Sequence, residues 1–391
     1  MNLKNTYDVI VAGAGPAGLR AALAVLSAPS RPSVLLVDNK VPWENPIACA
    51  EAVGKFGFAE AIDPKPEWIR FLIRRASFHS PDNTSITYAD SVKGYIINRA
   101  IMQRDIAAMC QELGADCHFG QNSAVVNVSP LSGGKRTVTL RDGASTTASV
   151  FIDASGPLSR LGSAEKIAWK AYDLEPAYFA VVKNVKAEND LVHIYVGQNV
   201  APGGYAWSFP REENVANVGI VVGNKFAQVA NIRTLLSDFV KKQFPEGQVS
   251  HYFAGPIPCG YKRVPISLPG LIKTGDAAST VNPLSRAGIV EAMLSGKIAG
   301  EYAIKMLGND SEKKAKELCK QYENAWFQKR GNSHAKFARV KPLLQQVPDS
   351  DFDAGARALS KVPAGEMTMF KIFSLTVGRF SKLVWAMRHL L

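Results

Sequence analysis

Several classes of protein are closed off by what this chain has too little of. Five cysteines are spread through 391 residues (Cys49, Cys110, Cys117, Cys259 and Cys319), and no two stand in a C-x-x-C arrangement. A set so sparse and odd in number supports neither a disulfide framework nor a zinc or redox-pair site, so a reducing, cytoplasmic compartment is expected. The six histidines are scattered. No H-E-x-x-H, G-x-S-x-G or paired-carboxylate pattern occurs, and no metal site is expected. No run of about twenty uninterrupted apolar residues is available for a membrane span. The apolar stretch 9–26 also fails as a secretory core, because Gly13, Gly15, Pro16, Gly18 and Arg20 interrupt it. What is present suits a globular chain: 47% hydrophobic residues, with 31 glycines and 22 prolines. That composition excludes disordered and collagen-like classes, and the length allows two or three units around a large core.

Acidic residues are also scarce, 34 against 46 lysines and arginines, and the net charge of +12 is unevenly placed. Segment 311–342 holds nine Lys/Arg against three Glu, and segment 369–391 holds four against none. No helix-turn-helix, RNP-type or zinc-finger pattern accompanies them, so nucleic acid is not expected as a partner. An anionic membrane surface, phosphorylated substrates and a plain solvated helix face all fit the charge. In the final segment Phe370, Phe373, Val377, Phe380, Val384, Met387 and Leu391 recur at steps of three and four. Lys371, Arg379, Lys382 and Arg388 lie off that stripe. Such a helix either lies in a membrane interface or docks on the protein body, and docking is the commoner use of an amphipathic helix.

Residues 7–12 (YDVIVA) read as a buried strand running into Gly13-Ala14-Gly15-Pro16-Ala17-Gly18 and a helical stretch to about Ser27. A second apolar strand, 33–37 (SVLLV), ends at Asp38, twenty residues after Gly18. This is the G-x-G-x-x-G fingerprint in the βαβ setting it requires. Gly13 permits the tight turn, Gly15 lets the backbone approach a pyrophosphate, and Gly18 allows the helix close to the strand. The helix N-terminus then offers free N–H groups to the phosphates. Asp38 is placed to accept the adenosine ribose hydroxyls. On these residues alone FAD and NAD both remain open.

Later segments point to FAD. A short strand, 271–274, runs into Gly275-Asp276-Ala277-Ala278, then Asn282-Pro283, then Gly288-Ile289 and a helix rich in small residues. An aspartate at a strand end suits a ribityl hydroxyl, and the Gly288 turn suits the flavin pyrimidine edge. Between the two ends, FIDASG at 151–156 is another strand closing on a small-residue turn.

With the Arg99-led helix (RAIMQRDIAAMCQELGAD), GYAWSFP at 204–210 and GDAASTVNPLSRAGI at 275–289, the chain resembles a known family. It is similar to the geranylgeranyl reductase family of FAD-dependent oxidoreductases, within the para-hydroxybenzoate hydroxylase-like flavoprotein superfamily. The resemblance spans about residues 7–305. Its family-level signal is the Y-x-W-x-F-P segment, Tyr205, Trp207, Phe209 and Pro210; the W-x-W-x-I-P of tryptophan-type halogenases is not present.

The resemblance implies an α/β fold: a Rossmann-like FAD-binding domain, a β-sheet substrate domain over the flavin, and a helical C-terminal region. The expected divisions are 1–75, 95–170 and 255–305 for the FAD domain, 76–94 and 171–254 for the sheet domain, and 306–391 for the helical region. A connector is expected at 341–356. The implied activity is saturation of C=C bonds in a polyprenyl chain on a lipid or isoprenoid substrate, with NADPH, NADH or reduced ferredoxin as electron donor. A flavin monooxygenase and an electron relay to quinone are the alternatives.

The implied FAD contacts are Gly13, Gly15, Pro16, Ala17, Gly18, Asp38, Asn39, Cys49, Ala50, Arg99, Gly275, Asp276, Pro283, Ala287, Gly288 and Ile289. Cys49 is also the candidate catalytic residue, although Ala50 stands where the family has glycine. Tyr205, Trp207, Phe209 and Pro210 are implied to wall the substrate. Arg286 departs from the family's small residues, and either sets a positive charge beside the flavin or points to solvent. A monomer or weak oligomer is expected, with peripheral attachment to the cytoplasmic membrane.

Overall fold

The computed structural model describes residues 3–44, 47–165, 167, 173–309 and 311–362, with the side chains of 89–93 and 164 left out of that description. The amphipathic segment 369–391 and its four basic residues lie outside the described residues. From the N-terminus run β1 (Thr6–Ala12), α1 (Pro16–Leu26), β2 (Val34–Asp38), β3 (Ala52–Gly54), α2 (Lys55–Ala61), β4 (Ile69–His79) and β5 (Ser85–Ile97). Next come α3 (Arg99–Glu112), β6 (Asp116–Phe119), β7 (Val125–Val128), β8 (Arg136–Leu140), β9 (Ser145–Asp153), β10 (Leu174–Lys183) and β11 (Leu191–Tyr195). They are followed by β12 (Tyr205–Glu212), β13 (Val215–Val221), α4 (Ile232–Gln243), β14 (Gln248–Pro258), β15 (Ser267–Leu268) and β16 (Leu271–Lys273). The last elements are α5 (Ile289–Met306), α6 (Glu312–Trp326), α7 (Asn332–Leu344) and α8 (Asp349–Leu359).

The first sheet runs β15-β16-β9-β1-β2-β6, with the β7–β8 hairpin attached to β9. Its pairs β16–β9, β9–β1, β1–β2 and β2–β6 are all parallel. Such strands are covered on both faces, which is why β1 and β2 read as near-continuous apolar runs. α1, α3, α5 and α6 cover one face; Tyr7, Ile10, Leu35, Val138 and Phe151 pack on the other. The small residues of α5 have a definite use. A Cβ on Gly296 would stand 2.1 Å from the Ala17 carbonyl oxygen, and one on Gly300 2.5 Å from that of Ala21, so α5 lies directly on α1.

The second sheet runs β14-β10-β13-β12-β11-β4-β5-β3. Beside β10–β14 from the expected 171–254 stretch, extended by a few residues, it takes in β3, β4 and β5, more than the 76–94 insert. β4 and β5 pair antiparallel as one long hairpin from Ile69 to Ile97 around the turn at 80–84, and β3 joins their edge. One face of this sheet is closed by α4 over Ala180, Ala206, Val218 and Ile220. The other face carries Phe179, Trp207, Phe209 and Phe253. The stretch expected as a connector is mostly helical: α7 runs through Pro342, and α8 follows after a short break.

Candidate active site

Parallel pairing brings four strand ends level. Ala12 stands opposite Val37 on one side and Asp153 on the other, and Lys273 stands opposite Asp153. Ligands of open parallel sheets bind outside such carboxyl ends. The turn after β1 is packed on the turn after β9: Gly13 has φ 103°, and a Cβ there would meet the Ala154 carbonyl oxygen at 2.2 Å. At Gly18 a Cβ would stand 1.8 Å from the Gly13 oxygen. Gly15 is the contrary case. A Cβ there meets nothing within 4 Å, and the α1 N-terminus beside it, opening with Pro16-Ala17, has no side-chain cap and no acidic residue. The loop thus leaves an open space faced by free N–H groups, which fits a pyrophosphate. Asp38 accepts the Ala14 N–H at 2.6 Å and the Lys40 N–H at 2.9 Å, so the acid braces the glycine turn. Burial raises its pKa. Asn39 beside it is exposed.

The second half of the cradle comes from the β16–α5 connection. Asp276 sits in the single turn Gly275–Ala278, and Gly288 caps an α5 that also lacks a side-chain cap. Desolvation pushes the Asp276 carboxyl up to about 6, against the pull of the Arg99 guanidinium. Arg99 opens α3, its Nε donating to Gln103 Oε1 at 2.7 Å, and is half-buried rather than a free surface cation. Pro283 is buried, Ile289 half-buried and Ala287 exposed.

Across from this cradle stands the aromatic face of the second sheet. Trp207 is 5% exposed and clusters with Phe179, while Tyr205, Phe209, Phe253 and Ala50 pack around them. Ring centroids are 5.9 Å apart for Trp207 and Phe179, and 6.1 Å for Trp207 and Tyr205. Ala50 brings the loop of Cys49 against this wall. Cys49 is half-buried, and its Sγ accepts the Glu51 N–H at 3.2 Å. Pro210 is separated from its expected neighbours: one residue out of phase with Phe209, it points to the same side of β12 as Ala206.

Arg286 turns inward. Its side chain, 5% exposed and on a backbone with φ 58°, pairs with Glu175 at 2.8 Å and lies 5.2 Å above the Tyr205 ring. Lys341, from the basic segment read above as solvated or surface-binding, is buried on the same Glu175 at 3.0 Å. Sequence reasoning missed this cluster, together with the fully buried Asp153–Lys273 pair and the Glu51–Arg211 pair. Only Glu175, Asp153, Lys273 and Arg211 gave a signal, as charges within strands, and no spacing rule joins partners more than a hundred residues apart.

The geranylgeranyl reductase catalytic domain matches residues 173–255, and a lycopene cyclase family matches residues 8–178. Digeranylgeranylglycerophospholipid reductase 2 of Methanococcoides burtonii is 30% identical over 99% of this chain and 96% of its own length. The corresponding reductase of Methanocella arvoryzae is 30% identical over 96% and 97%. Among solved structures, a geranylgeranyl bacteriochlorophyll reductase-like protein of Thermoplasma acidophilum superposes with a TM-score of 0.87 at 23% identity, covering 99% of this chain and 100% of that one. A myxobacterial chondrochloren halogenase shares the fold at a TM-score of 0.67 and 16% identity, covering 98% of each. With Y-x-W-x-F-P set as an aromatic wall opposite a dinucleotide cradle, and with relatives at this identity over its whole length, the chain belongs to the geranylgeranyl reductase family of FAD-dependent oxidoreductases.

Proposed function

We propose that this enzyme saturates the C=C bonds of geranylgeranyl chains on a glycerophospholipid. The observation that carries the reading is the aromatic wall of Tyr205, Trp207 and Phe209 facing the Cys49–Ala50 loop beside the FAD cradle. A polyprenyl chain needs a long apolar surface next to the redox group, and a small polar substrate does not. Gly13, Gly15, Pro16, Ala17 and Gly18 would hold the pyrophosphate, Asp38 and Asn39 the adenosine ribose, and Asp276 with Arg99 the ribityl region. The loop through Pro283, Ala287, Gly288 and Ile289 would hold the flavin ring.

FAD held there and reduced would supply a hydride to one alkene carbon. The wall and the loop orient the alkene and exclude water. The other carbon needs a proton from the protein. The Tyr205 hydroxyl is committed to the Ser285 carbonyl at 2.7 Å, and burial pushes it up to about 12. The half-buried thiol of Cys49 is our candidate for holding that proton at Sγ.

Electrons come from NADPH, NADH or reduced ferredoxin, and supplying each in turn identifies the donor. The substrate is lipidic, and among the described residues no helix is long and apolar enough to cross a membrane. On our reading the enzyme works at the cytoplasmic membrane surface, as a monomer or weak oligomer. The decisive experiment reduces the FAD-loaded protein anaerobically, adds a digeranylgeranyl glycerophospholipid, and follows flavin reoxidation together with lipid mass. A gain of one H2 per saturated bond is expected. Reoxidation without mass gain would return the chain to the electron-relay reading, and oxygen-dependent hydroxylation to the monooxygenase reading.

A further inference from the structure

Asn217 is a polar residue in the middle of β13, between apolar neighbours and 2% exposed. Both ends of a buried carboxamide need partners. Oδ1 accepts the Trp207 indole N–H at 2.9 Å, and Nδ2 donates to the Cys49 backbone carbonyl at 2.8 Å. The orientation of the amide is forced, because an indole N–H only donates and a carbonyl only accepts. One planar group therefore joins the aromatic wall to the loop beside the cradle. Gly219 seats the indole from below. It lies across from Trp207 in the β12–β13 register, and a Cβ there would stand 2.2 Å from the ring.

We propose that Asn217 is a positioning residue that holds the Trp207 ring and the Cys49 carbonyl at a fixed spacing, and so sets the width of the slot in which the alkene lies. What the slot contains rests on the alkene-reductase reading; the tie itself does not. The loop has a second anchor. Glu51 accepts the Arg99 N–H at 3.1 Å and pairs with Arg211 at 2.6 Å, tethering the loop to α3 and β12 without Asn217. Loss of the Asn217 carboxamide should therefore loosen the slot while leaving the loop attached and the dinucleotide cradle intact.

Two variants test this. Asn217→Leu removes both bonds at similar volume. Asn217→Asp keeps an acceptor for the indole but sets a carboxylate oxygen against the Cys49 carbonyl, and it carries the test if the leucine variant does not fold. One readout is the rate at which a thiol probe labels Cys49, mapped by peptide mass in flavin-free and FAD-loaded protein. The other is reoxidation of reduced FAD by the prenyl lipid, per bound flavin. Labelling should accelerate about tenfold, FAD content should hold, and turnover should fall by about tenfold to a hundredfold. A merely structural asparagine would lower the melting temperature while leaving both rates of the folded protein at parental values, and that result overturns the proposal. So does an Asn217→Asp protein that matches the parent on both readouts. If the parent itself does not turn over the lipid, the functional reading falls, and Cys49 labelling still decides the tie.

Discussion

At the scale of single residues, the glycines of one turn separate folding from binding. Gly18 has the Gly13 oxygen where a Cβ would go, whereas Gly15 has open space and an ordinary extended backbone, φ −76° and ψ −177°. Gly15→Leu should thus leave the melting temperature of the flavin-free protein unchanged while FAD no longer co-purifies. Gly18→Leu should fail to fold. Stoichiometric FAD in purified Gly15→Leu protein would contradict the cradle. A second residue-scale expectation concerns pH. Burial pushes the Glu291 carboxyl up to about 7 from 4.5, and the His334 imidazole down to about 4 from 6.5. The folded chain keeps the Glu291 proton where the unfolded chain has released it. That contribution is complete below about pH 4.5 and is lost as pH rises through 7. His334 acts in the opposite sense, losing its contribution as pH falls from 6.5 towards 4. Glu291→Gln removes the first dependence, and at pH 8 His334, whose Nε2 lies 3.8 Å from Glu291, is neutral in both folded and unfolded chain. Urea midpoints at pH 5 and pH 8 should show the variant gaining on the parent by on the order of 1–3 kcal/mol at the higher pH.

At the scale of elements, β12 shows what period two can carry. Its odd positions, Tyr205, Trp207 and Phe209, line one wall, and Ala206, of opposite phase, packs in the core under α4. Trp207→Ala should cost about 3–5 kcal/mol of stability, since a buried ring is lost. FAD occupancy should survive, because the ring belongs to the second sheet, while turnover of a long prenyl substrate is impaired. Stopped-flow reoxidation per bound flavin checks both; unchanged kinetics would reduce the ring to ordinary core. The alternation was legible beforehand, as were β1, α1, β2 and the α5 cap, because each is a local pattern. The same alternation contradicts Pro210 as a wall residue, a reading that took the motif as a unit. Arg286, Glu175 and Lys341 were illegible for a different reason. Their partnership depends on β10, the loop before α5 and α7 meeting in space, and neither charge nor spacing along the chain encodes that meeting.

At the scale of the whole molecule, the question is how a lipid reaches a site built between two sheets. The enzyme family acts on isoprenoid chains, and two runs of the chain carry positive charge without an acidic residue: 324–348 with five basic residues and 369–391 with four. Within 311–342 the charge is already partly spent: Lys329 and Arg330 pair with Glu60, and Lys341 with Glu175. That shifts the electrostatic reading towards the final segment, whose apolar stripe is read from sequence alone. Each basic residue near an anionic surface contributes about 1 kcal/mol, so four should give vesicle binding that weakens steeply with salt. Flotation with anionic and neutral vesicles, at low and high salt, should show the full-length protein on anionic vesicles at low salt only. Deleting 369–391 should abolish that binding, and neutralising Lys371, Arg379, Lys382 and Arg388 should weaken it, with the melting temperature held in both. If the segment instead docks on the body, deletion lowers the melting temperature and leaves flotation as it was. The two outcomes move opposite readouts, so one preparation measured both ways decides between them.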